Sequence, residues 1–277
     1  MLFAVHISDG ILTLPWLVGG FVGAAALAVV GAWRIREEEI PRVALLTAAF
    51  FVASSIHVPV GPVRAHLLLN GLLGVVLGRR AGLAIPVGLA MQAALLPHAG
   101  YTTLGVTSCV MTIPALLAGQ VFHALQRVPW LKRPPARSLL VAGAFLVFSL
   151  GVVNSVAWLT GNGYDSLADL FVLHPLTWVL VLGLSLLAAF LESRLENAPE
   201  FPLGLLLGEL SVLVTVALNT AVLILGGERD WQVWALAQLV AHLPVAVIEG
   251  IVLGFTVSFL ARVKPEMLGT AAAEEQT

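Results

Sequence analysis

The feature that most constrains this chain is its succession of apolar stretches, each about as long as a bilayer is thick, with charge pushed into the gaps between them. A helix rises about 1.5 Å per residue, so roughly 20 apolar residues cross the hydrocarbon core. Of 277 residues, 59% are hydrophobic and only 11% are charged. Soluble domains carry about 25% charged residues. The expected fold is an all-α polytopic membrane protein forming a single membrane domain over residues 1–277. Spans are expected near 11–33, 41–57, 66–78, 81–97, 105–126, 138–160, 173–193, 203–226 and 236–261. That makes about nine transmembrane helices. The third is short, and only Arg79-Arg80 separates it from the fourth. This pair reads as a tight or partly re-entrant hairpin.

Lysine and arginine set the orientation. With the N-terminus outside, the inner segments hold Arg34, Arg36, Arg42, Arg79, Arg80, Arg127, Lys132, Arg133, Arg137, Arg194, Arg262 and Lys264. The outer segments hold only Arg64 and Arg229, so 12 of 14 cationic residues lie inside. An odd number of spans keeps that alternation and puts the C-terminus in the cytoplasm. His6, His57, His66, His98 and His174 then lie toward the outer face. His242 falls in the outer part of the last span, and His123 near the inner end of its own. The segment before Ile11 lacks the basic start of a cleavable signal peptide. The polar tail 269–277 is expected to be a disordered cytoplasmic end.

Several chemistries are missing. A net charge of −2 gives no basic surface for nucleic acid. A single cysteine, Cys109, excludes an intrachain disulfide framework and a four-cysteine zinc site. Its apolar surroundings point to packing. Neither lysine follows a glycine, so the chain has no phosphate-binding P-loop and is expected to bind no nucleotide. There is no His-Glu-x-x-His and no Gly-x-Ser-x-Gly. Two acidic residues fall within spans. Glu209, near an inner end, is expected to snorkel. Glu249, near mid-span, is expected to hydrogen-bond neighbouring helices, although a carboxylate in a membrane is also a functional candidate. Gly20, Ala24, Ala28 and Ala32 form a small-residue stripe on the first span. It suits either packing within the chain or docking of another membrane subunit.

What remains is histidine. His6, His57, His66 and His98 all sit in polar breaks between apolar runs. Imidazole is the commonest metal ligand among side chains. A lone histidine beside a span is usually structural, but four on one side of a membrane raise a metal site. Asp9 is expected to hold the His6 loop through backbone amides, or else to be a solvated turn residue.

Six segments, in order, resemble the substrate-specific membrane component of cobalt and nickel energy-coupling-factor transporters, the CbiM/NikM family. His6-Ile-Ser-Asp-Gly10 resembles the family's opening Met-His-Ile-x-Asp/Glu-Gly. Val58-Pro-Val-Gly with His66 resembles its proline-containing loop that ends in a histidine. Gln92-Ala-Ala-Leu-Leu with His98-Ala-Gly-Tyr-Thr-Thr-Leu-Gly105 is similar to its Gln-Ala-Leu-Leu…His-Gly-Gly-x-Thr-Thr-Leu-Gly. Gly208-Glu-Leu resembles a Gly-Asp-Leu. His242-Leu-Pro-Val-Ala-Val-Ile-Glu-Gly250 resembles Pro-x-Ala-x-x-Glu-Gly, and Lys264-Pro-Glu-Met-Leu268 a common ending. The likeness implies a metal-binding N-terminal part over 5–126 and a family-like C-terminal part over 203–268. Residues 138–193 have no placed counterpart and are expected to be an inserted helical hairpin on a seven-helix core.

The resemblance also implies a ligand set. In the family, the N-terminal amine, the amide and ring of the following histidine, and a loop histidine bind the metal. Carried over, His6 gives ring and amide, and His66 gives the fourth nitrogen. A planar nitrogen set suits Ni²⁺ and Cu²⁺. His98, His57 and Asp9 are expected to orient these ligands or line the entry. Here the sequence departs from the pattern, because five residues precede His6. Val5 supplies the amine only if the chain starts there, through a misread GTG start or through trimming. Otherwise His6, His57, His66 and His98 would form an all-imidazole site, better suited to zinc or cobalt.

The implied function is capture of Co²⁺ or Ni²⁺ as the transported substrate at the outer face of a bacterial or archaeal cytoplasmic membrane. The implied partners are a transmembrane coupling (T) subunit and P-loop ATPase subunits, with a small accessory membrane subunit besides. The chain itself is then no enzyme. A self-sufficient secondary transporter or channel for divalent cations is the alternative, and it calls for ionisable residues along a path through the membrane. A membrane enzyme would want a carboxylate base beside the metal, and only Asp9 is near in sequence.

Overall fold

The computed structural model describes residues 7–60, 63–96, 100–128, 133–159, 172, 174–194, 200–227 and 232–268. Among these, nine α-helices and one hairpin follow in chain order. They are α1 (Leu14–Ala32), α2 (Ile40–Ser55), β1 (His57–Val60), β2 (Val63–His66), α3 (Asn70–Leu77), α4 (Ala81–Leu95), α5 (Leu104–Leu125), α6 (Pro134–Leu159), α7 (Pro175–Arg194), α8 (Glu200–Gly226) and α9 (Gln232–Val263). Among the described residues, six stretches are long and apolar enough to cross a membrane, with Asn70–Leu95 taken as one; Pro175–Phe190 is apolar but shorter. Nine helices therefore lie where nine spans were expected, but α2, with 16 residues, α3, with 8, and α4, with 15, are each short of a full span on their own, and the apolar part of α7 is short as well. The reason for α3 is local. The chain before it is spent on the β1–β2 hairpin and its exit, so α3 has only 8 residues.

Gly78 ends α3 with φ 54° and ψ −129°. A glycine accepts this region at little steric cost. One 3₁₀ turn over Gly78–Arg80 then feeds α4. The start of α4 meets the end of α1, where Gly82 lies against Leu27 and Gly31, whereas Gln92, near the end of α4, reaches Ser54 at the end of α2. Thus α4 returns toward the end of the bundle from which α3 came, and the two helices form a tight hairpin.

Arg80 locks this turn. Its guanidinium is buried and donates to the carbonyls of Gly31, Trp33 and Arg34 and to both carboxylate oxygens of Glu39. The carbonyls belong to the end of α1, whose last groups have no partner within the helix. Hydrogen bonds from the Arg80 side chain, and then from the Arg36 amide, hold the Glu39 carboxyl down at about 2.

The core lies where α3 is wrapped by α4, α5 and α8. Contact there is backbone to backbone. A Cβ on Gly74 would lie 1.7 Å from the Ala115 carbonyl oxygen, and one on Gly119 would lie 2.2 Å from that of Gly74. Helices in lipid gain from such close approach, because the lipid offers apolar contact as good as a side chain does. The same device serves α1. Gly20 packs on Val106 and Gly31 on Gly82 and Leu83. The buried part of the small-residue stripe is thus used within the chain. The rest of α1 exposes Leu14, Val18, Phe21, Val22, Val29 and Val30. An apolar helix with one narrow buried face belongs in hydrocarbon. Cys109 shares the α1–α5 seam and donates to the Gly20 carbonyl at 3.4 Å. Glu209 corrects the snorkelling expectation. It is 1% exposed, and its side chain lies against Gly250 of α9.

Candidate metal centre

The hairpin after α2 carries two of the sequence-selected histidines. β1 and β2 pair antiparallel with His57 opposite His66. Directly opposed side chains are neighbours, and the two ring centroids are 4.8 Å apart. The α2 end of the hairpin is fixed by Gln92, whose amide donates to Ser54 Oγ at 2.6 Å and to the Phe51 carbonyl.

A third imidazole joins them. His242 of α9 meets His66 edge to face, with centroids 6.2 Å apart. His66 and His242 are both almost completely buried. All three rings share one tautomer. Nδ1 contacts a backbone carbonyl in each: Ser55 at 2.9 Å for His57, Leu67 at 3.0 Å for His66 and Gln238 at 2.8 Å for His242. A carbonyl only accepts, so each Nδ1 carries a proton, and in the neutral ring Nε2 holds the lone pair. Metal-binding histidines are set up in this way. The three Nε2 atoms are buried, and among the described residues that of His242 has no hydrogen-bond partner. The described residues contain no group of three His, Cys, Asp or Glu arranged to hold an ion. His57, His66 and His242 therefore form a wall of nitrogen donors rather than a closed cage.

The segment leaving His66 is held from three sides. Leu69 adopts φ 47° and ψ 12°, a left-handed conformation that costs a non-glycine residue about 1–2 kcal/mol. Glu249 of α9 accepts from the Leu68 and Leu69 amides, at 2.9 Å for Leu69. Asn70 donates to Thr215 Oγ1 at 2.6 Å and to the Met111 carbonyl, and accepts from Gly71 N and Ser211 Oγ. Successive amides around a left-handed residue form a concavity that attracts an anion. Here that anion is the carboxylate of a distant helix.

The other sequence-selected residues divide. Val5, His6 and His98 lie outside the described residues. Asp9 lies within them. Its carboxylate accepts from the Tyr101 and Thr102 amides at 3.1 and 2.8 Å and from the Thr102 hydroxyl. Ile7 is buried, and its carbonyl accepts from Thr103 Oγ1. Thr13 N donates to the Gly226 carbonyl at 3.0 Å. Residues 7–13 are thus pinned between the start of α5 and the end of α8. Burial alone would raise the Asp9 carboxyl, but hydrogen bonds from the Thr102 hydroxyl and the Thr102, Tyr101 and Thr103 amides outweigh it and leave the group below its ordinary value. His174 accepts from Leu176 N at the start of α7, a local role.

No role for His242, and only a generic one for Glu249, followed from the sequence alone. One signal was available: they are seven residues apart, two turns of one helix face.

Comparison with known proteins places the chain in a family. The profile described as "CbiM: Cobalt uptake substrate-specific transmembrane region" matches residues 6–192 and 177–267. A Haemophilus influenzae protein called "Putative metal transport protein" is 42% identical over 120 residues, which are 43% of this chain and 58% of that protein. "Putative cobalt transport protein CbiM 1" of Methanocorpusculum labreanum is 28% identical over 98% of this chain and 96% of its own length. "Cobalt transport protein CbiM" of Geobacter sulfurreducens is 28% identical over 78% of this chain and 60% of its own. A crystal structure titled as a truncated transition metal transporter superposes with a TM-score of 0.51 at 18% identity, over 92% of this chain and 98% of that one, which shows a shared fold. The profile spans nearly the whole chain, and the chain belongs to the CbiM family, the cobalt uptake substrate-specific transmembrane region.

Proposed function

We propose that this protein captures Co²⁺ or Ni²⁺ at the outer face of a cytoplasmic membrane as the substrate-binding subunit of an energy-coupling-factor uptake transporter. The observation that carries the proposal is the set of three imidazoles, His57, His66 and His242, gathered with every Nδ1 committed to a backbone carbonyl. Buried nitrogen lone pairs suit a borderline transition-metal ion better than Mg²⁺ or Ca²⁺, which prefer oxygen. His66 is the ring ligand from the hairpin, and His6 supplies ring and amide. In a chain whose N-terminus is residue 5, the amine of Val5 completes the set. His57, His98 and Asp9 shape and orient it.

The topology that goes with this reading has nine spans, the N-terminus outside and the C-terminus in the cytoplasm. It comprises the metal-binding part 5–126, the inserted hairpin 138–193, the C-terminal part 203–268 and the tail 269–277. ATP hydrolysis belongs to P-loop ATPase partners, engaged through a transmembrane coupling subunit. A self-sufficient carrier is the weaker reading. The polar groups next to the segment leaving His66, namely Asn70, Ser211 and Thr215, are buried and hydrogen-bonded to one another, and none of them is ionisable.

The test is equilibrium binding of Co²⁺ and Ni²⁺ to purified protein, compared with His6→Ala and His66→Ala. Loss of binding in both variants is expected, and equal binding by all three forms would remove the site. Ligation by neutral rings and a deprotonated amide releases protons, so affinity should fall as pH drops.

A further inference from the structure

Glu249 and His66 meet the same peptide group from opposite sides. The Leu68 amide donates to the Glu249 carboxylate, and the Leu67 carbonyl accepts from His66 Nδ1 at 3.0 Å. That carbonyl and that amide belong to one peptide bond, which is planar and, as no cis bond occurs here, trans. Its two polar ends point in opposite directions. A carboxylate that fixes the amide end therefore fixes the carbonyl end, and with it the proton on His66 Nδ1 and the direction of Nε2.

We infer that Glu249 is a positioning residue for His66, acting on the imidazole through the single peptide between Leu67 and Leu68. The inference deepens the proposed function, because it rests on His66 binding the metal. In metal sites a carboxylate often bonds directly to the ligand histidine, orients it and raises its basicity. Here a peptide is inserted between the two. Hydrogen bonds in a chain polarise one another. A negative charge at the amide makes the Leu67 carbonyl a stronger acceptor, and the ring a better donor of its Nε2 lone pair. The second Glu249 contact, to Leu69 N at 2.9 Å, holds the left-handed residue that turns the chain into α3. Glu249 is 3% exposed and lies 181 residues from Leu68, so α9 sets the ligand loop without being part of it.

The experiment compares wild-type protein with Glu249→Gln, Glu249→Asp and a control, Glu209→Gln, which alters another buried carboxylate. Two quantities are read: the Nδ1–H proton resonance of His66 in the metal-free protein, assigned by its loss in His66→Ala, and Co²⁺ affinity with the ligand-field spectrum. Glu249→Gln is expected to move the resonance upfield, weaken Co²⁺ binding at least tenfold and shift the spectrum. Glu249→Asp should be intermediate and Glu209→Gln unchanged. A Glu249→Gln resonance identical to wild type overturns the inference. If that variant does not fold, an unshifted resonance in Glu249→Asp does so. If wild-type protein binds no Co²⁺, the metal-capture reading fails, and the resonance still decides the link between Glu249 and His66.

Discussion

His66 and His242 come from segments far apart in the chain, yet their rings lie nearly perpendicular, at 89°, with centroids 6.2 Å apart. His242 holds its Nδ1 proton on the Gln238 carbonyl and turns a buried Nε2 away from it. Replacing His242 with phenylalanine keeps a flat ring and removes that nitrogen. Supporting residues around a metal site typically contribute about 10–100-fold to affinity. His242→Phe is therefore expected to weaken Co²⁺ binding by at least about tenfold while the protein stays folded. Titration calorimetry checks this, and wild-type affinity would separate the ring from the site.

Asp9 ties the N-terminal segment to the turn before α5. Its carboxyl titrates below the ordinary value, so the folded arrangement favours the charged form. The stabilisation is then fully present above the unfolded value of about 4 and is lost as pH falls through the lower, folded value. Between pH 6 and 8 it should be constant. Hydrogen exchange of the Tyr101 and Thr102 amides should accelerate in Asp9→Ala at neutral pH, and in wild-type protein only under acid conditions. Equal protection in the two proteins at neutral pH would dismiss the tie.

Removing the Arg80 side chain strips partners from three carbonyls at the end of α1 and from Glu39. Breaking a buried charge pair of this kind costs about 3–5 kcal/mol. Arg80→Ala should lower the thermal midpoint in detergent markedly. Glu39→Gln, at a partly exposed carboxylate, should lower it less. The Glu39 carboxyl sits at about 2, so the contribution of the pair is present above the ordinary carboxylate range and is lost only as pH falls toward 2. A midpoint unchanged by Arg80→Ala would show the clamp to be idle.

Among the described glycines Gly74 has the least room, and a Cβ there would meet the Ala115 carbonyl oxygen at 1.7 Å. Gly74→Val should abolish the monodisperse folded species on size exclusion. Gly143 of α6 has nothing within 4 Å of its Cβ position. Gly143→Ala should be tolerated and can gain up to about 1 kcal/mol from helix propensity. Equal behaviour of the two variants would contradict the packing described here.

Much of the architecture was legible in the sequence because bilayer thickness acts on local composition. The positions of α1, α5, α8 and α9 follow from apolar length, and the tight α3–α4 pair from a short run ending at Gly78-Arg79-Arg80. His57 and His66 stood out as imidazoles in a polar break, and a tight hairpin then places them opposite each other. The fate of the small-residue stripe was open, because a groove for a neighbouring helix looks the same from within one helix. Only the contact of Gly20 with α5 and the burial of Ala24 resolved it for the first half of the stripe, while Ala32 stays exposed.

The chain alone dictated that its helices lie in lipid, since transfer of apolar length into hydrocarbon needs no partner. Tertiary structure decided what meets His66. Helices that are apolar on every side carry no periodic mark of the face that turns inward, so that face is chosen by glycine-to-backbone fit between helices. That fit brings His242 and Glu249, two turns apart on α9, against a hairpin some 180 residues earlier in the chain.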